Sequence, residues 1–160
     1  MERKALELHK KWMDHCILLG KEALAKGNPP VGALVVYRAK IIGIAMETAK
    51  TTGNITHHAE LLAIQDAIDK GYKPFLKEAI LYSTHEPCIM CSYAIRTYKI
   101  PQLVYGVSVA HIGGDTSTLA VLHTTDVPHW KNPPEIVKGI YKERCEALNT
   151  AFESKQLNVL

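Results

Sequence analysis

Ala79-Ile-Leu-Tyr-Ser-Thr-His-Glu-Pro-Cys-Ile-Met-Cys91 is the stretch on which the fold turns. Its first five residues form a short apolar run that reads as a strand, and residues 89–98 just beyond it have the spacing of a short helix. Gln102-Leu-Val-Tyr-Gly-Val107 is strand-like again. Strand, helix and strand in succession indicate an α/β layered domain.

Working outward, Ala33-Leu-Val-Val-Tyr37 and Lys40-Ile-Ile-Gly-Ile-Ala45 read as two strands joined by a turn at Arg38-Ala39. Residues 2–26 carry a helical stripe that includes Trp12, Cys16 and Ile17, stopped by Gly27-Asn-Pro-Pro30. Residues 58–70 form another helix, ended by Gly71. Towards the carboxy terminus, residues 110–115 read as a Gly-bearing loop, 116–123 as a short helix and 127–134 as an irregular Pro-rich stretch. Residues 135–153 are expected as one amphipathic helix with Ile136, Val137, Ile140, Cys145, Leu148 and Phe152 inward. No repeat or linker divides residues 1–160, so a single domain is expected.

Composition narrows the class. A 47% hydrophobic and 22% charged chain is neither disordered nor membrane-spanning, and no signal-peptide core follows Met1. A cytoplasmic location is the expectation. The charge of +3 comes from scattered lysines without a dense run interleaved with aromatics, so composition does not point to nucleic acid.

The chemistry lies in the four cysteines and eight histidines. Cys16 and Cys145 sit in helical apolar stripes and read as core residues. Cys88 and Cys91, three apart at a helix start, place two thiols on one face of its first turn, where the dipole favours thiolate. A lone C-x-x-C is equally a redox pair or half of a structural zinc site. A second cysteine pair is absent, and three protein ligands with an open fourth position is the catalytic arrangement of zinc. His58 supplies the third ligand, because it too begins a helix and has Glu60 two residues on. His9, His15, His123 and His129 lack such a neighbour, His57 is expected to point away, and His85 at the strand exit reads as a loop or surface residue. Two thiolates leave a zinc-held water less acidic than three histidines do, so Glu60 is the expected general base.

His58-Ala-Glu60 followed by Pro87-Cys-x-x-Cys91 resembles the zinc-dependent cytidine/deoxycytidylate deaminase superfamily. Pro30-Val-Gly-Ala33, Glu86-Pro-Cys-x-Met-Cys-Ser and Ile100-Pro-x-Leu-Val-Tyr-Gly106 resemble the branch that holds guanine, fungal cytosine and tRNA adenosine deaminases. The resemblance implies a three-layer α/β/α fold around a mixed sheet of about five strands. It also implies one Zn²⁺ per chain, a homodimer, and hydrolysis of an amino group from a nitrogen heterocycle. Glu60 would relay protons from water to the ring nitrogen and the departing amine.

Within that resemblance the candidate substrate contacts are Val31, Glu47, Ala59, His111 and Asp115. Glu47 stands where relatives carry an Asn that hydrogen-bonds the substrate, and an ionised Glu only accepts. Val109 and His111 stand where tRNA deaminases carry Asp and Lys, and residues 151–160 contain a single lysine, Lys155. These departures favour a free nucleobase, guanine-like or cytosine-like, as a small-molecule substrate. A tRNA adenosine deaminase and a non-catalytic zinc-stabilised subunit remain the alternatives. Trp130 is either a lid over the site or an anchor for the Pro-rich stretch.

Overall fold

The computed structural model describes residues 1–130 and 132–158. Lys131 of the Pro-rich stretch, and Val159 and Leu160 of the tail, lie outside the described residues. In chain order the elements are α1 (Arg3–Ala25), β1 (Gly32–Tyr37), β2 (Lys40–Met46), the one-turn α2 (Ala49–Thr52), α3 (Ala59–Asp69) and a 3-10 turn (Lys73–Glu78). They continue with β3 (Ile80–His85), α4 (Ile89–Thr97), β4 (Gln102–Val107), β5 (Glu135–Lys138) and α5 (Lys142–Leu157). Among the described residues no helix is long and apolar enough to cross a membrane.

The sheet order is β2-β1-β3-β4-β5. β1 runs antiparallel to β2 and β3, whereas β3, β4 and β5 are parallel neighbours. Alternation along the strands builds two cores, because helices cover both faces. Ala33, Val35, Leu81, Leu103 and Tyr105 pack beneath α3 and α4 with Ala63, Ile64 and Ile95. Leu34, Val36, Tyr82 and Val104 face Trp12, Met13 and Ile17 of α1 and Cys145 and Leu148 of α5. Cys16 and Cys145 are free buried thiols, as their apolar settings indicate. The expected α/β/α layering and five-stranded mixed sheet are present.

Two sequence expectations are corrected. Residues 135–153 do not form one helix: Ile136 and Val137 pair with Leu103 and Val104 as the edge strand β5. Their side chains go to opposite cores. Gly139 (φ 85°) and Tyr141 (φ 54°) then turn the chain before α5 begins. An apolar i, i+1, i+4 spacing is shared by a helix stripe and by a short strand plus turn, and here pairing with β4 decides it. Residues 116–123 are turns, because the backbone N–H groups of Asp115 and Thr116 are drawn to the Glu86 carboxylate.

Close packing of β2 on α3 rests on Gly43. A Cβ there would lie 2.1 Å from the Ala63 carbonyl oxygen and 3.0 Å from the Ala67 Cβ. Gly43→Ala is therefore expected to lower stability by about 2 kcal/mol through overpacking, read as a fall in the urea midpoint.

His9 on α1 is buried, its Nδ1 2.9 Å from the Tyr82 hydroxyl. Burial lowers its pKa from the ordinary 6.5, against a smaller opposite pull from Glu135. The unfolded chain thus takes up a proton below about pH 6.5 that the native state resists, so this contribution to stability is present above that pH and is lost as pH falls. On moving from pH 7.5 to 5.5, the denaturation midpoint of the wild type is expected to fall further than that of His9→Gln.

Candidate active site and metal centre

The site lies at the carboxyl ends of the parallel strands β3 and β4, where the amino termini of α3 and α4 meet. His58 is the residue before α3, with extended backbone (φ −71°, ψ 146°), and Cys88 occupies the same position before α4 (φ −65°, ψ 173°). Cys91 lies one turn into α4, and Glu60 sits in the first turn of α3.

These elements bring three donor atoms together. His58 Nδ1 is 3.4 Å from Cys88 Sγ and 3.6 Å from Cys91 Sγ, and the two sulfurs are 3.7 Å apart. A tetrahedral zinc ion, bonded at about 2.3 Å to sulfur and about 2.0 Å to nitrogen, requires edges of roughly 3.8 Å between sulfurs and roughly 3.5 Å from nitrogen to sulfur. The donor set therefore fits zinc in both chemistry and dimensions, and among the described residues it is the group of side chains able to hold a metal ion.

Electrostatics point the same way. The Cys88 thiol is drawn down to about 4, first by its hydrogen-bond contact with Cys91 and then by that with His58, with burial opposing. His58 is raised to about 9, chiefly by its hydrogen bond with Cys88. A metal taken up here replaces that proton, since a ligating imidazole must be neutral.

Glu60 is only 3% exposed. Ser83 donates a 2.9 Å hydrogen bond to its Oε1, and its Oε2 lies 3.6 Å from Cys91 Sγ. Burial raises its pKa above the usual carboxylate value, against its own backbone N–H and Ser83. Glu47, just past the end of β2, is buried, 4% exposed. Its Oε2 accepts the Ala59 backbone N–H at 3.2 Å. Burial, reinforced by Glu60, lifts Glu47 to about 7 against the pull of His58.

A cavity of about 210 Å³ opens over these groups. Val31, Glu47, His58, Glu60 and Cys88 line it, as do His85, Glu86, Val109 and Ile112. A wider groove of about 440 Å³ lies between the outer faces of α3 and α4, bordered by Leu61, Leu62, Ile68 and Tyr93, and it holds none of this chemistry.

The remaining sequence candidates separate. Ala59 is buried and contributes its N–H to Glu47. His111 is exposed and is not part of the cavity wall, whereas its neighbour Ile112 is. Asp115 faces away from the cavity, holding the Tyr105 hydroxyl at 2.6 Å, His123 Nε2 at 2.6 Å and Lys138 Nζ at 3.1 Å. Trp130 donates its indole N–H to Thr97 Oγ1 and packs edge-on against Tyr93, so it anchors the Pro-rich stretch to α4. His57 turns to Thr52 and Asn54, away from the three donors.

Three residues carry more than their sequence context suggested. His85, expected at the surface, is 7% exposed and borders the cavity. Ser83 orients Glu60. Glu86 accepts hydrogen bonds from the N–H groups of Val109, Asp115 and Thr116 and from the Thr116 hydroxyl, all between 2.6 and 2.9 Å. This holds the 109–116 loop against Cys88. Gly113 leaves room for that carboxylate, since a Cβ would fall 2.0 Å from Glu86 Oε1 and displace it from its donors. A carboxylate beside Pro87 was the available signal, but its partners are more than 20 residues away.

Comparison with known proteins agrees with this geometry and corrects one expectation. Residues 6–107 match the model of the cytidine and deoxycytidylate deaminase zinc-binding region. The tRNA-specific adenosine deaminase 2 of Danio rerio is 35% identical over 92% of this chain and 72% of its own length. The tRNA-specific adenosine deaminase of Aquifex aeolicus (strain VF5) is 32% identical over 88% of this chain and 91% of its own. A solved structure from work on A-to-I editing by tRNA:A34 deaminases at the wobble position superposes with a TM-score of 0.77. It has 25% identity, covering 85% of this chain and 96% of that one. Relatives so named over nearly the whole chain overturn the expectation of a free guanine-like or cytosine-like base, and with it the disfavouring of nucleic acid. With a matching family model and a donor set built for zinc, the chain belongs to the cytidine and deoxycytidylate deaminase zinc-binding family and is a hydrolytic deaminase.

Proposed function

We propose that this chain deaminates adenosine within tRNA, yielding inosine and ammonia. The observation that carries the reading is the identity of about a third, over most of the chain, with tRNA-specific adenosine deaminases.

His58, Cys88 and Cys91 hold the zinc ion, which when bound supplies the Lewis acidity that makes water a competent nucleophile near neutral pH. Glu60 is the general base and acid. Ser83 holds its Oε1, and Oε2, on the side of Cys91, takes the proton of water, passes it to ring N1 and helps protonate the amine leaving C6. Burial suits Glu60 to that exchange by raising its proton affinity. Glu47 engages Ala59 through one oxygen, and its other has no hydrogen-bond partner among the described residues, which leaves it to accept an N–H or O–H of the nucleoside. Val31, Val109 and Ile112 provide apolar walls for a flat base, and the cavity is small enough to take one base flipped from its strand. A second copy of the chain is proposed as partner, read by sedimentation.

Zinc analysis should give one ion per chain in the wild type and a clear loss in Cys88→Ser and Cys91→Ser. Chelation should lower stability by roughly 3 kcal/mol relative to protein held at a hundredfold excess of zinc over its dissociation constant.

The activity test is inosine formation in a tRNA anticodon stem-loop carrying adenosine, scored by nucleoside analysis beside an ammonia assay on free bases. Inosine is expected in the stem-loop, with the rate reduced by about a thousandfold in Glu60→Ala. Ammonia from a free base with no inosine in RNA would overturn the tRNA reading, and full activity of Glu60→Ala would overturn the mechanism.

A further inference from the structure

We propose that Asn149 is a positioning residue: it fixes the His85 imidazole as a wall of the pocket and so links helix α5 to the seating of the base. The inference rests on the cavity being the deamination site.

Both nitrogens of His85 are engaged by protein. Nε2 lies 2.6 Å from Asn149 Oδ1 and Nδ1 lies 2.8 Å from Thr84 Oγ1. An amide oxygen only accepts, so Nε2 carries the hydrogen and Nδ1 accepts from the Thr84 hydroxyl. Thr84 Oγ1 in turn accepts the Gly32 backbone N–H at 3.2 Å. A continuous chain of hydrogen bonds thus runs from the start of β1, beside Val31, through the end of β3 to α5. Burial holds His85 below its ordinary pKa, consistent with a neutral ring. With no free nitrogen, His85 is not a proton carrier. It offers the pocket only a fixed flat surface.

Asn149 also stands at a boundary in α5. Leu148 is the last buried residue of that helix. Beyond it the helix is tied to the body through Asn149, through Lys50 Nζ donating to Gln156 Oε1 at 2.7 Å, and through Lys155 Nζ donating to the Leu24 carbonyl at 3.5 Å. Of these ties, only the one through Asn149 ends on a residue of the cavity wall. Removing its acceptor leaves a buried N–H without a partner, which is disfavoured. The same cavity holds the carboxylates of Glu47 and Glu60, towards which a freed Nε2–H would turn, into the space of the base.

The test compares zinc-loaded wild type, Asn149→Leu and Asn149→Asp on the stem-loop substrate, with thermal midpoint and zinc content measured for each. Asn149→Leu should raise KM about tenfold with kcat nearly unchanged, since a ring intruding on the base site competes with binding. Asn149→Asp keeps the acceptor and should restore KM. An unchanged KM in Asn149→Leu overturns the proposal, as does a KM that Asn149→Asp leaves elevated. A readout independent of turnover is the ¹⁵N spectrum of His85, expected as the Nε2–H tautomer in the wild type and as a mixture in Asn149→Leu. The Nδ1–H tautomer in the wild type overturns the proposal. Failure of the wild type to form inosine, with the His85 spectra as expected, fails the tRNA reading alone.

Discussion

Two helices have to begin almost on top of one another, and most of this molecule follows from that constraint. The amino termini of α3 and α4 each present unpaired N–H groups and the positive end of a helix dipole. Bringing them close enough for His58 Nδ1 and two thiols to lie within 3.7 Å would be repulsive unless anionic groups filled the gap. Cys88, drawn to thiolate, answers part of that demand. Glu47 and Glu60 answer more, yet both are buried, and burial pushes each towards its neutral form. A divalent cation on the three donors resolves this, because it stabilises thiolate and carboxylate together. The sheet provides the rigid frame, with α3 on β2 and α4 rising directly from the end of β3.

The walls of the cavity are set by a different device. Val109 and Ile112 lie on a loop with few apolar anchors, and the loop's shape comes from Glu86, one residue before Pro87. Four donors converge on that carboxylate, three of them backbone N–H groups. The rim of the pocket is therefore tied to the same short stretch that carries Cys88. Gly113 and Gly114 permit the approach, since side chains there would collide with Glu86 and Ser92. Asp115 closes the far side of the loop through Tyr105, His123 and Lys138, joining it to β4 and β5. These partners, rather than the cavity, engage its carboxylate.

Local features of the sequence were the legible ones. His58-Ala-Glu60 and Cys88-x-x-Cys91 carry their meaning in short spacings, and the strands on either side have clear apolar runs, so the donor set and the main helices and strands from α1 to β4 were open to reading, while the one-turn α2 and the 3-10 turn, too short for a periodic stripe, were not. Residues 135–153 were not, because Ile136, Val137 and Ile140 suit a helix stripe as well as a strand and turn, and only pairing with β4 distinguishes them. His85 was misplaced for a related reason: its partner, Asn149, is 64 residues away. The substrate was misjudged by weighing side-chain charge at Val109 and His111. Val109 contributes a backbone N–H to Glu86 and an apolar face to the pocket, and neither depends on the charge that relatives carry there.

The end of β3 shows how one strand serves several distant partners at once. Its side chains alternate between the two faces of the sheet as far as Thr84, and His85 at the strand's end departs from that alternation to reach α5. Ser83 points to the α3 side and donates to Glu60. Thr84 points to the other side, accepts from Gly32 and donates to His85. His85 ends the strand, reaches α5 through Asn149 and borders the pocket. A one-residue slip of β3 against β1 and β4 would exchange these assignments and cost Glu60 its partner and His85 its place. Register is held by burial on both faces, with Leu81 in one core and Tyr82 in the other. The hydrophobic layers thus do more than stabilise the fold: by fixing the register of β3 they set Ser83 against Glu60 and His85 against Asn149.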